Sequence, residues 1–134
     1  MGAWGNNLID NDEASDYLND IGDILDIGDF RDRLETKQIS KEMVENFNFN
    51  RGRILAFTMG EYSEAMILVY AGIIKIFDLE FGADIKLFKN ALENEYKKTD
   101  NIERIRYLKA LDFAINHKSH YDFNKIVLIE KDKK

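Results

Sequence analysis

Along the first thirty positions, apolar residues recur as Ala14, Tyr17, Leu18, Ile21, Ile24 and Leu25. That three-and-four spacing gathers them on one face of a helix. Asp16, Asp20 and Asp23 fall on the opposite side. Asp10 stands where an N-cap is expected, and Glu13, three residues later, completes a capping box with Asp in place of Ser or Thr. Ile9 and Ala14 then occupy the positions of a hydrophobic staple. Gly22 weakens the middle of this helix by about 1 kcal/mol relative to Ala, and Gly28 is placed to end it or the irregular turn after it.

The pattern weakens over residues 29–50. Phe30, Leu34, Met43, Val44 and Phe47 fit one or two short helices with Ser40 capping the second, while the alternation over residues 46–50 also fits a brief extended piece. Residues 60–77 read as a central helix, with Glu61 and Glu64 in its first turns, where negative charge suits the helix dipole. From residue 65 to 74 the run is apolar all round, as in a helix enclosed by protein. Ala71 and Gly72 would let a neighbouring helix approach closely. A further amphipathic helix is predicted over residues 84–96, and Asp100 or Asn101 caps a last one carrying Ile102, Ile105, Leu108, Leu111 and Ile115. Residues 126–129 are a β-branched run suited to a short terminal strand or an extended strap. The expectation is one mainly α domain over residues 1–134, a bundle of about five helices with a short C-terminal strand or strap.

Composition agrees with this outline. A chain of 134 residues and 15.7 kDa buries roughly two-thirds of the surface it exposes when unfolded. The absence of proline favours uninterrupted helices. The absence of cysteine removes disulfides, thiolate metal sites and thiol nucleophiles together. Charge is unevenly spread: residues 1–30 hold eight acids and no base, residues 31–96 eleven acids and nine bases, and residues 97–134 six acids and ten bases. An acidic opening disfavours duplex nucleic acid, whose phosphates need a basic footprint, and suits a basic protein partner. The opening residues lack the basic and apolar segments of a secretory signal. Gly2 is not followed by the Ser or Thr that myristoylation needs, since that place holds Asn6. The apolar run over residues 65–74 falls short of the ~20 residues that span a bilayer. The cytosol is the expected compartment, with no membrane partner.

Little in the chain points to catalysis. Asp10, Asp12 and Asp16 invite a hard cation, but the glycine and terminal glutamate of an EF-hand loop are missing. His117 and His120, the only histidines, could share a metal only with a third ligand that the local sequence does not define. Near a helix C-terminus, with Lys118, they also suit the dipole. Glu61 and Glu64 could form a carboxylate pair, yet neither begins the Glu-x-x-His of di-iron bundles. Ser15, Ser40, Ser63 and Ser119 lie in no nucleophile motif. No phosphate-cradling glycine loop occurs; Arg51-Gly52-Arg53 is a small basic cluster that could hold an anion, and is read first as a loop before the central helix. No catalytic, metal or cofactor residue is assigned. An interhelical enzyme or ligand site using Glu61 and Glu64, or His117 and His120, is the alternative to a binding module.

The opening, Met1-Gly2-Ala3-Trp4-Gly5, is followed by Ile9, the Asp10-Asn11-Asp12 cluster, Ala14 and the Asp16-Tyr17 pair. Over residues 1–18 this resembles the bacterial family called domain of unknown function 4259. Departures are Asn6 and Asn7, where the family often has Gly, and Ile9, where it has Phe. Residues 64–74 resemble the family's small-residue helix only loosely. The resemblance implies a small helical bacterial protein and brings no established activity. Such proteins are often immunity proteins of toxin–antitoxin pairs. Read physically, Trp4 between Gly2 and Gly5 suits a lead-in that folds back and buries its indole. The expected function is a non-enzymatic protein-binding module, an immunity protein that neutralises a basic, nuclease-like toxin domain. Asp16, Asp20, Asp23, Asp26 and Asp29 would steer the partner, with exposed aromatics as anchors. Phe47, Phe49 and Tyr121 are the candidates for surface aromatics, through which self-association stays open.

Overall fold

A computed structural model describes residues 7–127 of the chain. Seven helices and no strand occur among the described residues: α1 (Asp12–Leu25), α2 (Phe30–Thr36), α3 (Lys41–Phe49), α4 (Arg51–Glu61), α5 (Glu64–Ile76), α6 (Ile85–Lys98) and α7 (Ile102–Asn116). The axis is α5. Residues 66–74 are buried without interruption, and α1, α4, α6 and α7 pack around them. A helix apolar on every side has no solvated face to offer, so it sits inside a ring of amphipathic neighbours. One hydrophobic core joins these elements. Among the described residues no helix is long and apolar enough to cross a membrane.

The first helix buries Ala14, Tyr17, Leu18, Ile21, Gly22 and Leu25 as the spacing predicts, but its cap is a correction. Asn11, not Asp10, is the N-cap, and its side-chain oxygen accepts a hydrogen bond from the Ala14 amide at 2.8 Å. Asp10 instead faces Arg31 at 3.6 Å, and Glu13 does not complete a capping box. At the other end, Asp26 takes the left-handed conformation (φ 58°) usually left to glycine. The Ile27 amide reaches back to the Gly22 carbonyl at 2.8 Å. Gly22 has a reason to be there: a Cβ would lie 2.7 Å from the Ile27 oxygen and 3.1 Å from the Phe30 Cβ. The helix ends at Asp26, and Gly28 lies in the irregular turn that follows it.

The helix count also differs from expectation, for a local reason. The stretch read as one helix over residues 60–77 contains a break: α4 ends at Glu61, Tyr62 and Ser63 are extended, and α5 begins at Glu64. Arg51-Gly52-Arg53 is the first turn of α4 and not a loop. This helix escapes the periodicity reading because only Ile54 and Thr58 are fully buried along it. Ser40 caps α3 as predicted, accepting from the Met43 amide at 3.1 Å, and residues 46–49 are helical rather than extended. Asn101 caps α7, accepting from the Arg104 amide at 3.1 Å.

After α7 the chain runs back over the bundle as a strap, residues 117–127, without forming a strand. Gly72 admits this strap and not a neighbouring helix: a Cβ there would lie 2.6 Å from the Phe123 ring and 3.1 Å from that of Tyr121. Both rings are buried. The Val127 amide donates to the Arg106 carbonyl at 3.2 Å. The start and end of the described chain meet where Asn7 donates to the Asn124 side chain at 3.1 Å. Arg104 joins them, donating to the Asn7 carbonyl at 2.9 Å and lying 3.5 Å from the buried Glu95. The expected burial of Trp4 and the last two positions of the run over residues 126–129 lie outside the described residues.

Candidate interaction surface

The outer face of α1 is built by the periodicity that builds its inner one. Asp12, Asp16, Asn19 and Asp23 project to solvent, and Asp26 and Asp29 continue the exposed acidic run into the turn before α2. Asp29 also has a left-handed backbone (φ 55°) and makes no side-chain cap. Among the described residues, Asp12, Asp16, Asp23, Asp26 and Asp29 have no cation at ion-pair distance. Their mutual repulsion is therefore left to solvent and salt to screen.

Two acids of the same block are engaged in holding α1 to its neighbours. Glu13 accepts hydrogen bonds from the Ser63 amide at 2.9 Å and the Ser63 hydroxyl at 2.7 Å. Ser63 is the N-cap of α5 and makes no cap bond with its own side chain. A carboxylate from α1 thus sits at the positive end of the central helix, where the dipole favours it. Asp20 accepts the phenolic proton of Tyr62. Of the five aspartates read as partner-binding, Asp20 has a structural bond and the other four are exposed with no cation at ion-pair distance among the described residues.

Tyr62 is the residue sequence reasoning missed. Standing in the break between α4 and α5, its ring meets Tyr17 edge-on at 5.0 Å and Phe57 at 5.7 Å. Both Phe57 and Tyr62 are only half-buried. Desolvation pushes the Tyr62 phenol above its usual ionisation range, and the Asp20 bond and the Asp20, Asp16 and Glu13 carboxylates push the same way. It stays a neutral donor at ordinary pH. The result is a seam between α1 and α4 with a half-open aromatic shelf edged by carboxylates. The signal for it lay in Ser63, an N-cap type immediately before the apolar run, which marks a helix start there and a break before it.

The remaining candidates are not brought together. Glu61 is exposed at the end of α4, while Glu64 accepts both hydrogen bonds from the Asn94 amide group of α6, at 3.0 and 2.9 Å. His117 is exposed, with its Nδ1 2.9 Å from the Phe113 carbonyl and its ring stacked on Phe113 at 4.0 Å. His117 borders a groove of about 500 Å³ beside Lys75 and Phe81, and His120 a neighbouring one of about 310 Å³ beside Lys37 and Ser119. Glu61 and Glu64 line neither groove. No group of three or more His, Asp or Glu side chains is placed to hold a metal among the described residues. As for surface aromatics, Phe47 and Tyr121 are core residues, because the helical face of Phe47 and the Gly72 slot draw them inward. Phe49 is 89% exposed.

No protein-family model, no curated protein and no solved structure matches the chain.

Proposed function

We propose that this protein is a binding module that neutralises a basic protein partner, in the manner of an immunity protein for a nuclease-like toxin domain. The observation that carries this reading is the outer face of α1 and its following turn, where Asp16, Asp23, Asp26 and Asp29 stand exposed with no cation at ion-pair distance among the described residues. Beside them lies the Phe57–Tyr62 shelf, whose aromatic surface could anchor an arginine or an apolar side chain. Unpaired carboxylates on a rigid helix raise the rate of encounter with a basic surface and select against acidic ones. The resemblance of residues 1–18 to domain of unknown function 4259 accords with a small bacterial protein of this kind. We place the protein in the cytoplasm, where such a partner would be met before it acts.

The test is co-expression with the product of the neighbouring open reading frame, followed by co-purification and by cell survival when that product is induced. Survival that depends on this protein supports the proposal. The double variant Asp16→Lys/Asp23→Lys should lower the association rate about tenfold or more at low salt, with thermal stability changed by less than about 0.5 kcal/mol. Failure to co-purify, together with unchanged survival, defeats the reading.

A further inference from the structure

The strap is held differently from everything beneath it. Residues 117–127 contain no helix, and their own backbone bonding is a single turn, from the Lys125 amide to the Asp122 carbonyl at 3.1 Å. What fixes the segment is one aromatic anchor, four polar ties, and the His117 ring stacked on Phe113 with its Nδ1 2.9 Å from the Phe113 carbonyl. The anchor is the pair Tyr121 and Phe123, seated edge to face at 5.7 Å in the slot left by Gly72. The ties are Lys75 to the His117 carbonyl at 3.2 Å, Lys37 to Asp122 at 3.3 Å, Asn7 to Asn124 and Val127 to Arg106. Two of these run through lysines, Lys37 exposed and Lys75 half-buried, and the exposed Lys37 pair contributes little in water.

Open grooves border the side of the strap facing α2. One of about 310 Å³ lies beside Ser119 and Tyr121, and another of about 220 Å³ beside Asp122 and Phe123, with Lys37 on the rim of both. The Ser119 hydroxyl is buried with no hydrogen-bond partner among the described residues, a cost that opening would relieve. Undocking the strap breaks no bond within α5 or α7, because its polar contacts with them run through the Lys75 side chain and the Phe113 and Arg106 carbonyls. Ordering eleven irregular residues must be offset by two buried rings and the partly buried Val127, whereas α5 has helical bonds along its length and an uninterrupted buried stretch over residues 66–74.

We propose that residues 117–127 are a detachable plug: an intramolecular ligand of the Gly72 slot that opens as one unit while the seven helices stay folded. Opening bares an aromatic-sized slot on the central helix, lined by Gly72 and shaped for the Tyr121–Phe123 pair. This device lies apart from the acidic seam of α1 and α4 and does not depend on it.

The experiment is limited proteolysis of the full chain by chymotrypsin under native conditions, with cleavage sites read by mass spectrometry. Tyr121 and Phe123 should be cut at least ~100-fold faster than the buried Tyr70, Phe77 and Phe88, and the trimmed product should keep its helical signal. Low urea should barely change the strap rate while it accelerates the core sites. Gly72→Ala, whose Cβ would meet the Phe123 ring at 2.6 Å, should raise strap cleavage a further ~10-fold with no change at the core sites. Asp122→Asn, remote from the core, should raise it by a smaller factor of about two to five through loss of the Lys37 pair. Cleavage at Tyr121 and Phe123 that keeps pace with Tyr70, Phe77 and Phe88 would overturn the proposal, as would an Asp122→Asn variant that speeds all sites equally.

Discussion

Gly22→Ala sets two opposed effects against each other, and the structure decides the sign. Inside a helix, alanine is favoured over glycine by about 1 kcal/mol, so propensity alone predicts a more stable protein. At this position the new Cβ would stand 2.7 Å from the Ile27 carbonyl oxygen and 3.1 Å from the Phe30 Cβ. The first is backbone and cannot swing aside. Relief requires moving the turn after α1, which strains the Ile27 amide bond to the Gly22 carbonyl, worth about 1 kcal/mol net. It also shifts Phe30, which is buried at the start of α2, and overpacking of this kind costs roughly 1–3 kcal/mol. Setting the propensity gain against these leaves a net loss of about 1–3 kcal/mol. Urea unfolding followed by circular dichroism reads it: with a slope of about 2 kcal/mol per molar, the midpoint falls by roughly 0.5–1.5 M. Gly28→Ala is the control, since nothing lies within 4 Å of its Cβ, and it should be neutral or stabilising by up to about 1 kcal/mol. A Gly22→Ala midpoint equal to or above that of the parent refutes the packing argument.

Three further outcomes follow from the same contacts. Tyr17 donates to the Thr58 hydroxyl at 2.5 Å, which in turn donates to the Ile54 carbonyl at 2.7 Å. Thr58→Val strands a buried phenol and should cost about 1–3 kcal/mol, whereas Tyr17→Phe leaves Thr58 satisfied and should cost about 1 kcal/mol or less; equal losses in thermal melts would contradict this ordering. Glu13→Ala removes the carboxylate from the start of α5 and should cost about 0.5–1 kcal/mol, measured by the same melts, with a Ser63→Ala background abolishing part of the effect. Burial raises the phenols of Tyr17, Tyr62 and Tyr96 above 10.0, with neighbouring carboxylates adding to the rise at Tyr62 and Tyr96. Below pH 10 both folded and unfolded chains hold these protons and stability is full. Above it the unfolded chain ionises first, so stability falls as pH rises, by about 1.4 kcal/mol per pH unit for the buried Tyr17 and by less for the part-exposed Tyr62 and Tyr96. Phenolate absorbance and helical signal should therefore change together in an alkaline titration, and ionisation near pH 10 with the fold intact would count against it.

How far the site was legible follows from which residues act locally. The acidic outer face of α1 is a matter of helical spacing, so Asp16 and Asp23 could be placed on it from the sequence. The roles of Glu13 and Asp20 could not, because their partners, Ser63 and Tyr62, lie 50 and 42 residues away. A capping box was the sensible local reading of Glu13, and it lost to a helix N-terminus that only the folded chain brings within reach. Phe47 and Tyr121 illustrate the same limit for aromatics: exposure depends on what packs against a ring, and neither spacing nor composition names that neighbour.

The sequence by itself determined the helical class, the enclosed run of the central helix, the cap at Ser40, a cap at Asp100 or Asn101, and the concentration of negative charge at the start of the chain. All of these rest on interactions among residues a few positions apart, where backbone geometry fixes who meets whom. Tertiary structure decided that the stretch around Tyr62 breaks, that α4 exists as a helix despite its weak pattern, and that Gly72 receives a returning strap instead of another helix. Those outcomes depend on contacts between distant segments, in which the gain from burying a ring or pairing a carboxylate outweighs a local preference.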